Sequence, residues 1–308
     1  MKVFADKNCL QRDTWNTGYG NKIQHLFFLL RLAEQMGVQP VVPCDTPLDE
    51  IFDLSKIKIQ VAEGDLDNCI YTETTAFPAI DYFHKIMNKI GISVFTKKNL
   101  YRTVERSYRQ ARDEALFLES ASRSGLKGYV RGHFWHYDLM PSMEVLHKYI
   151  SVRADLISAV KAKYPDIEAD ESVVVHLRET DFRNHLRHVF NKSIVLPASY
   201  YQKAIERAES SLNRSLTYHL FSDNHEKIKQ IFKGRKYVLH DDNAVMDWAS
   251  LYLGKHVIQS NSSFCWTASL YNKAFSIQPS GGYNWASPEA GSVPYGFKMP
   301  FSEEIICR

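Results

Sequence analysis

Residues 173–182 read VVVHLRETDF, so His176, Arg178 and Asp181 follow a β-branched run with no turn residue in between. An arginine in that position offers a planar fork of donors that matches phosphate oxygens. Held at a strand end, it is placed to stabilise a diphosphate leaving group as its charge develops. The plainer alternative pairs Arg178 with Asp181 on a solvated turn. A second cluster, Ser222-Asp223-Asn224, carries a carboxylate that can accept two hydrogen bonds from a guanine edge, or else cap the helix that follows. A third, QSNSSFCW at 259–266, sets Asn261, Ser262 and Ser263 immediately before an apolar run. Hydroxyls and N–H groups at a helix start suit a phosphate, and equally they make an ordinary N-cap. Near the N-terminus, TGYGNKIQ brings Gly20 and Asn21 into a glycine loop of a kind that also serves as a plain turn.

These clusters need a scaffold, and the periodicity after Ser172 supplies one. Short apolar strands are predicted at Val173–Leu177, Tyr218–Phe221, Tyr237–Leu239, His256–Gln259 and Ala274–Ile277. Helices are predicted between them at Ser199–Leu212, 225–232, Val245–Leu253 and Phe264–Tyr271. That alternation is the mark of a parallel, doubly wound sheet, whose ligands bind at the carboxyl ends of the strands. All three polar clusters fall at such ends.

In the first half, Ile23, Leu26, Phe27, Leu30, Ala33 and Met36 recur at helical spacing and Gly37 follows as a C-cap; Val38–Val42 reads as a strand ended by Pro43. Helical patterns recur at Ile80–Ile90 and Val104–Leu118, and Gly128–Met140 reads as a strand and loop crowded with polar aromatics. Val145–Lys163 reads as one amphipathic helix, and the polar passage YPDIEADES after it as the connection between an N-terminal domain, 1–165, and a C-terminal domain, 166–308.

The 308 residues, 44% hydrophobic and 24% charged, describe a soluble globular protein, and a net charge of +3 with both signs interspersed speaks against nucleic acid as a partner. Five scattered cysteines with no CxxC pair fit neither a disulfide framework nor a zinc site, so reduced thiols and a cytoplasmic location are expected. No segment reads as a signal peptide or a membrane span, which leaves at most peripheral membrane contact. His185 and His188 lie three apart in the basic run RNHLRH but lack a third ligand at motif spacing, so no metal ligand is assigned. That run could steer an anionic acceptor; a solvated loop is the simpler reading.

TGYGNKIQ, HLRETDF, HLFSDN and DWASLYLGKHVIQSNSSFCWTASL, in that order, resemble the α-1,2-fucosyltransferases of glycosyltransferase family 11 and the wider group of GDP-fucose-dependent transferases. The resemblance runs from about Thr17 to Ile277. It implies a GT-B fold, two Rossmann-like doubly wound domains facing a central crevice. It also implies inverting transfer of L-fucose from GDP-fucose to a glycan hydroxyl, lipid-linked acceptors included, in the making of a surface or viral glycan. Neither a metal nor a bound cofactor is implied. Arg178 would contact the β-phosphate, His176 would shape its pocket, and Asp223 would read guanine. Ser262 and Ser263, with Asn261, would hold the diphosphate, and Gly20 and Asn21 match the family's glycine-asparagine motif. Arg178, His176 and Asn21 are the catalytic candidates, with Asp181 among the donor contacts. His133, His136 and Asp138 fall on the acceptor side, and with Asp13 they are the candidate general bases. The chain departs from the family where Glu179, Thr180, Asp181 and Phe182 replace a second arginine and a Gly-Asp-Tyr run, and where Lys22 replaces a glutamine. A GT-B enzyme for another nucleotide sugar, or a noncatalytic GDP-sugar-binding protein, are the alternatives.

Overall fold

The computed structural model describes residues 2–5, 18–35, 37, 39–60, 128–130, 137, 140–180, 195–271, 273–280 and 302–306. It divides into two compact units, one running to Ser151 and one from Val152, the latter also taking in 135–138.

In the first unit, strands β1 (Lys2–Ala5), β2 (Gln39–Pro43), β4 (Lys58–Gln60) and β5 (Gly128–Val130) form a parallel sheet in the order β4-β2-β1-β5. A two-residue strand, β3 (Phe52–Asp53), precedes β4. Helix α1 (Tyr19–Gln35) packs on β1 and β2 through the buried residues Ile23, Leu26, Phe27, Leu30 and Ala33, the stripe read from the sequence. It begins three residues before Lys22 because the Gly18 carbonyl accepts from the N–H groups of Asn21 and Lys22, at 3.1 and 3.3 Å. Gly37 follows at φ 61°, a left-handed conformation that glycine adopts without steric cost.

The single helix predicted over Val145–Lys163 is two helices. Helix α2 (Met143–Tyr149) is capped by the Ser142 hydroxyl, which accepts from the Val145 N–H, and stops at Ile150, whose φ and ψ are −141° and 159°. Ser151–Val152 forms the short strand β6, and α3 (Ala154–Lys163) starts after it. Branched Ile150 and Val152 favour extended backbone, a local preference that the helical spacing on either side hides. The break between the units therefore falls at Ser151, ahead of the YPDIEADES passage, and α3 packs against a helix of the second unit, Ala244–Leu253.

The second unit is one six-stranded sheet, wholly parallel, in the order β12-β11-β10-β7-β8-β9. Its strands are β7 (Ser172–Leu177), β8 (Thr217–Ser222), β9 (Tyr237–Leu239), β10 (His256–Ile258), β11 (Phe275–Ser280) and β12 (Glu303–Ile306). The chain winds outward from β7 through β8 and β9, returns across the sheet, and winds outward again through β10, β11 and β12. This is the doubly wound order of a Rossmann sheet. Its topological switch point lies between β7 and β10, where a crevice opens at the carboxyl ends. Strands β1 and β12 escape the sequence reading because they are short and lack alternation, whereas β5 opens the Gly128–Met140 stretch read as a strand and loop.

Period-2 alternation splits β7 between two faces. Val173, Val175 and Leu177 join a core with Tyr200, Tyr201, Ala204, Ile205 and Ala208 of helix α4 (Ala198–Leu212) and Ile228 of α5 (His225–Ile231). Each large aliphatic or aromatic side chain buried there contributes about 1.5–3 kcal/mol. Two tyrosines of α4 also set the switch point: the Tyr200 hydroxyl donates to the Gln259 carbonyl (2.6 Å) and Tyr201 to the His176 carbonyl (3.2 Å), so one helix grips the ends of both flanking strands.

On the opposite face, helix α6 (Ala244–Leu253) crosses β7 and packs on α7 (Ser263–Ser269). The α6 carbonyls of Leu251 and Tyr252, with that of Gly254, accept from the Lys273 ammonium, whose pKa burial pulls down to about 7. Gly254 lies so close to β7 that a Cβ there would stand 2.4 Å from Cγ1 and 2.9 Å from Cγ2 of buried Val174. Val174 cannot swing aside within a packed strand. Gly254→Ala is therefore expected to lose about 1–3 kcal/mol of stability in urea unfolding, and an unchanged midpoint would show that α6 can slide.

Candidate functional site

The three polar clusters read from the sequence sit at the ends of three adjacent strands, β8, β7 and β10, beside the switch point. Arg178 is the first residue past β7, with its side chain 38% exposed, so its charge is within reach of a solute. Its Nε lies 3.5 Å from Asp223 Oδ2 across the β7–β8 gap. The pairing considered at the sequence level, with Asp181, lies outside the described residues.

Asp223 binds the protein's own donors. One oxygen accepts from the Glu179 N–H (2.8 Å); the other accepts from the Thr180 N–H (3.0 Å) and Thr180 Oγ1 (2.6 Å). Neither sequence reading of this residue anticipates that role. The cap of α5 is Asn224, whose side chain accepts from the Lys227 N–H. Asp223 instead folds the β7 exit into a turn and places Arg178.

His176, the last inward residue of β7, is buried, with Nδ1 2.6 Å from Ser260 Oγ and its ring against Phe264. Burial, helped by the Arg178 charge, drives its pKa down to about 3. The imidazole is neutral at physiological pH, so it supplies no positive charge. On the β10 side Asn261 and Ser262 are buried and Ser263 is half-buried. The Ser262 hydroxyl caps α7, accepting from the Phe264 N–H at 3.4 Å, the ordinary N-cap of the two readings. With only seven residues, α7 has a small dipole.

Glu179 is buried at the β7 exit and ion-paired to Lys227 Nζ at 2.9 Å. Beside it opens a pocket of about 690 Å³ lined by Glu179, Asn224, Glu226, Lys227, Lys229 and Gln230.

A fourth polar cluster went unread in the sequence. Ligand-capable atoms of His240, Asp242 and Asp247 lie within 4.8 Å of one another, past the end of β9 and in the first turn of α6. Asp242 is held by Lys163 and by the Tyr164 hydroxyl (2.6 Å). Asp247 Oδ1 is buried without a hydrogen bond, and burial next to Asp242 and Asp241 lifts its pKa to about 7. Among the described residues this is the one His/Cys/Asp/Glu group that could converge on a metal ion, and an ion there would have to displace Lys163 from Asp242. The missed signal was the aspartate that opens the DWASLYLG stretch, four residues after the α6 N-cap Asn243.

The cluster belongs to the same sheet face as His176. Phe221 is the β8 partner of His176 in register, and the His240 ring lies 3.9 Å from Phe221. Gly20 (buried) and Asn21 (half-buried) belong to the other unit, at the start of α1. Asp13, His133, His136, Asp138, Asp181, His185 and His188 lie outside the described residues.

No family model matches the chain, and no curated protein matches it. Solved structures similar to it include the fucosyltransferase NodZ from Bradyrhizobium, at 16% identity over 87% of this chain and 91% of that one, with a TM-score of 0.48. POFUT1 in complex with GDP-fucose is also similar, at 13% identity over 99% and 97% of the two chains, with a TM-score of 0.46. Both likenesses are distant. No described helix is long and apolar enough to cross a membrane.

Proposed function

We propose that this protein is a glycosyltransferase that moves a sugar from a GDP-sugar, L-fucose from GDP-fucose, to a glycan hydroxyl. The observation that carries the reading is the meeting of three polar strand exits at the β7–β10 switch point, with the Arg178 cation at its mouth. In the reaction, the acceptor oxygen forms a bond to the anomeric carbon from one side while the bond from that carbon to the β-phosphate oxygen breaks on the other. The acceptor's proton passes to a base and GDP departs with the bonding pair. Arg178 stabilises the charge that grows on the departing phosphate, and Asn261 and Ser262 support the diphosphate from β10. Attack from the opposite face inverts the anomeric carbon.

The carboxylate that reads guanine in this proposal is Asp247. Asp223 already accepts from three of the protein's own donors, whereas Asp247 holds a buried oxygen without a hydrogen bond on the His176 face. Guanine presents adjacent N1–H and N2–H donors, which a carboxylate accepts side by side.

Titration calorimetry with GDP, GDP-fucose, GDP-mannose and UDP-glucose, without and with magnesium, tests the reading. GDP is expected to bind without the ion, and GDP-fucose to outbind UDP-glucose by at least about tenfold, or about 1.4 kcal/mol. Binding of none of the four would remove the nucleotide reading, and GDP-mannose preferred over GDP-fucose would move the donor.

A further inference from the structure

The cavity beside Glu179 has no role in holding the donor. Its volume of about 690 Å³ lies within the range of about 300–1,000 Å³ usual for small-molecule sites, yet such sites are mostly apolar and the six side chains that line this one are all polar. Floor and rim are built alike. Glu179, 1% exposed, pairs with Lys227 Nζ at 2.9 Å and receives the Asn224 side-chain amide at 3.4 Å. Glu226 and Lys229, 89% and 40% exposed, form a second pair at 3.2 Å, and exposed Gln230 follows them on α5. With two carboxylates and two ammonium groups, the lining has no net charge.

The floor pair departs from the pattern of its own strand. Val173, Val175 and Leu177 alternate into the core that α4 and α5 cover, and Glu179, next in that series, meets Lys227 of α5. An apolar side chain there would extend the core. A buried ion pair gains little or nothing over well-packed apolar residues of the same volume, so stability does not account for it. What the pair supplies is a fixed polar floor. Asn224 holds it from the side, its Oδ1 accepting from the Lys227 N–H at 3.1 Å while its Nδ2 donates to Glu179.

This lining narrows the chemistry of an occupant. A phosphate or a second nucleotide needs surplus positive charge, and here each ammonium is matched by the carboxylate of its own pair. An acyl chain or an aromatic ring needs apolar walls, and no aliphatic or aromatic residue lines the cavity. Hydroxyl groups fit both pairs, since each can donate to a carboxylate or amide oxygen and accept from an ammonium or amide N–H. We propose that the cavity holds a sugar unit of an uncharged acceptor oligosaccharide, a unit other than the one that is modified. Glu179 directly follows Arg178, so the cavity opens next to the place of the departing phosphate and not at it. The inference rests on the transferase reading above and adds the class of acceptor: a neutral glycan of at least two sugars.

The test is retention of the full chain, with and without saturating GDP, on an array of neutral, sialylated and phosphorylated oligosaccharides and of single sugars. Neutral oligosaccharides are expected to be retained, and single sugars at least about tenfold more weakly, because they forgo the hydrogen bonds of one of the two places. Lys229→Ala combined with Gln230→Ala strips the rim of donors on the outer side of α5, where the core is untouched. That double variant is expected to bind the same glycans at least about tenfold more weakly, with GDP affinity within about twofold of the parent. In the parent, the side-chain amide NMR signals of Asn224 and Gln230 are expected to shift when a retained glycan is added. GDP binding with no neutral oligosaccharide retained would overturn the inference and leave the nucleotide reading standing. Retention of only sialylated or phosphorylated glycans would overturn it too, by showing that charge is read there. Retention unaffected by the double variant, or unmoved amide signals, would place the glycan elsewhere on the protein. Neutral glycans retained through this cavity by a chain that fails to bind GDP would uphold the sugar site and remove the transferase reading.

Discussion

Asp247→Asn is expected to abolish GDP binding and at the same time to make the protein more stable at pH 8. Both follow from one buried carboxyl. Its folded pKa of about 7 stands above an aspartate's ordinary 3.8, so the native state holds this proton more tightly than the unfolded chain does. The carboxyl's contribution is fully favourable below about pH 4 and is lost as pH rises through 7, where the buried group must ionise next to Asp242 and Asp241. An asparagine never ionises. The variant should therefore match the parent near pH 4 and exceed it at pH 8 by something on the order of 1–3 kcal/mol, read as a melting temperature several degrees higher. Binding moves the other way, because an amide offers one acceptor where guanine brings two donors, and its NH₂ meets the base's N–H groups head-on. A loss of at least about 100-fold in GDP affinity is expected, and in the parent GDP affinity should rise between pH 6 and pH 8 as Asp247 ionises. Calorimetry at both pH values decides. Undiminished GDP binding by the variant would take the base-reading role from Asp247, and a lower melting temperature at pH 8 would mean that its charge is matched in the fold.

The sequence shows which polar residues stand at the strand ends of the second unit more clearly than what each of them binds. Strand periodicity and the carboxyl-end rule locate Arg178, Asp223 and Asn261 on three strand ends, because a buried parallel strand followed at once by polar residues leaves them only the crevice to face. Spacing along the chain does not say which strands are neighbours. That β7 and β10 flank the switch point depends on a return crossing between β9 and β10, and the tie of His176 to Ser260 spans 84 positions. Asp223 illustrates the limit on roles: a carboxylate at a strand end reads as a base acceptor or a helix cap, and spacing does not announce that it also binds the amides of 179 and 180. Asp247 illustrates the opposite error. An aspartate in a helix's first turn is ordinarily a solvated partner of the dipole, and only the packing of α6 over β7 turns it into a buried, unmatched acid. At α2 and α3 local preference won over periodicity, since Ile150–Val152 is too short a stretch to disturb a helical pattern counted over nineteen residues, Val145–Lys163.

Arg178→Ala is expected to lower sugar transfer by about 100- to 1,000-fold at saturating donor, with the fold intact. The rate term follows from removing a single preorganised donor set aimed at a developing oxyanion, which costs about 2.7–4 kcal/mol of transition-state stabilisation. The fold term follows from the contacts: Arg178 is over a third exposed, and its partner Asp223 keeps the Glu179 and Thr180 N–H groups and the Thr180 hydroxyl when the guanidinium is removed. The β7 exit thus holds its shape without the residue that it presents. Arg178→Lys separates charge from geometry. A lysine restores a cation at the mouth but not a planar fork with two parallel N–H groups, so it should recover some of the lost rate, well short of the arginine. If the arginine acts mainly on the departing phosphate, kcat falls in both variants while donor KM moves less, because the interaction strengthens only as charge develops. A variant that raises KM and leaves kcat alone would make Arg178 a ground-state anchor for the diphosphate. Alanine turnover within a few-fold of the parent would remove it from the reaction.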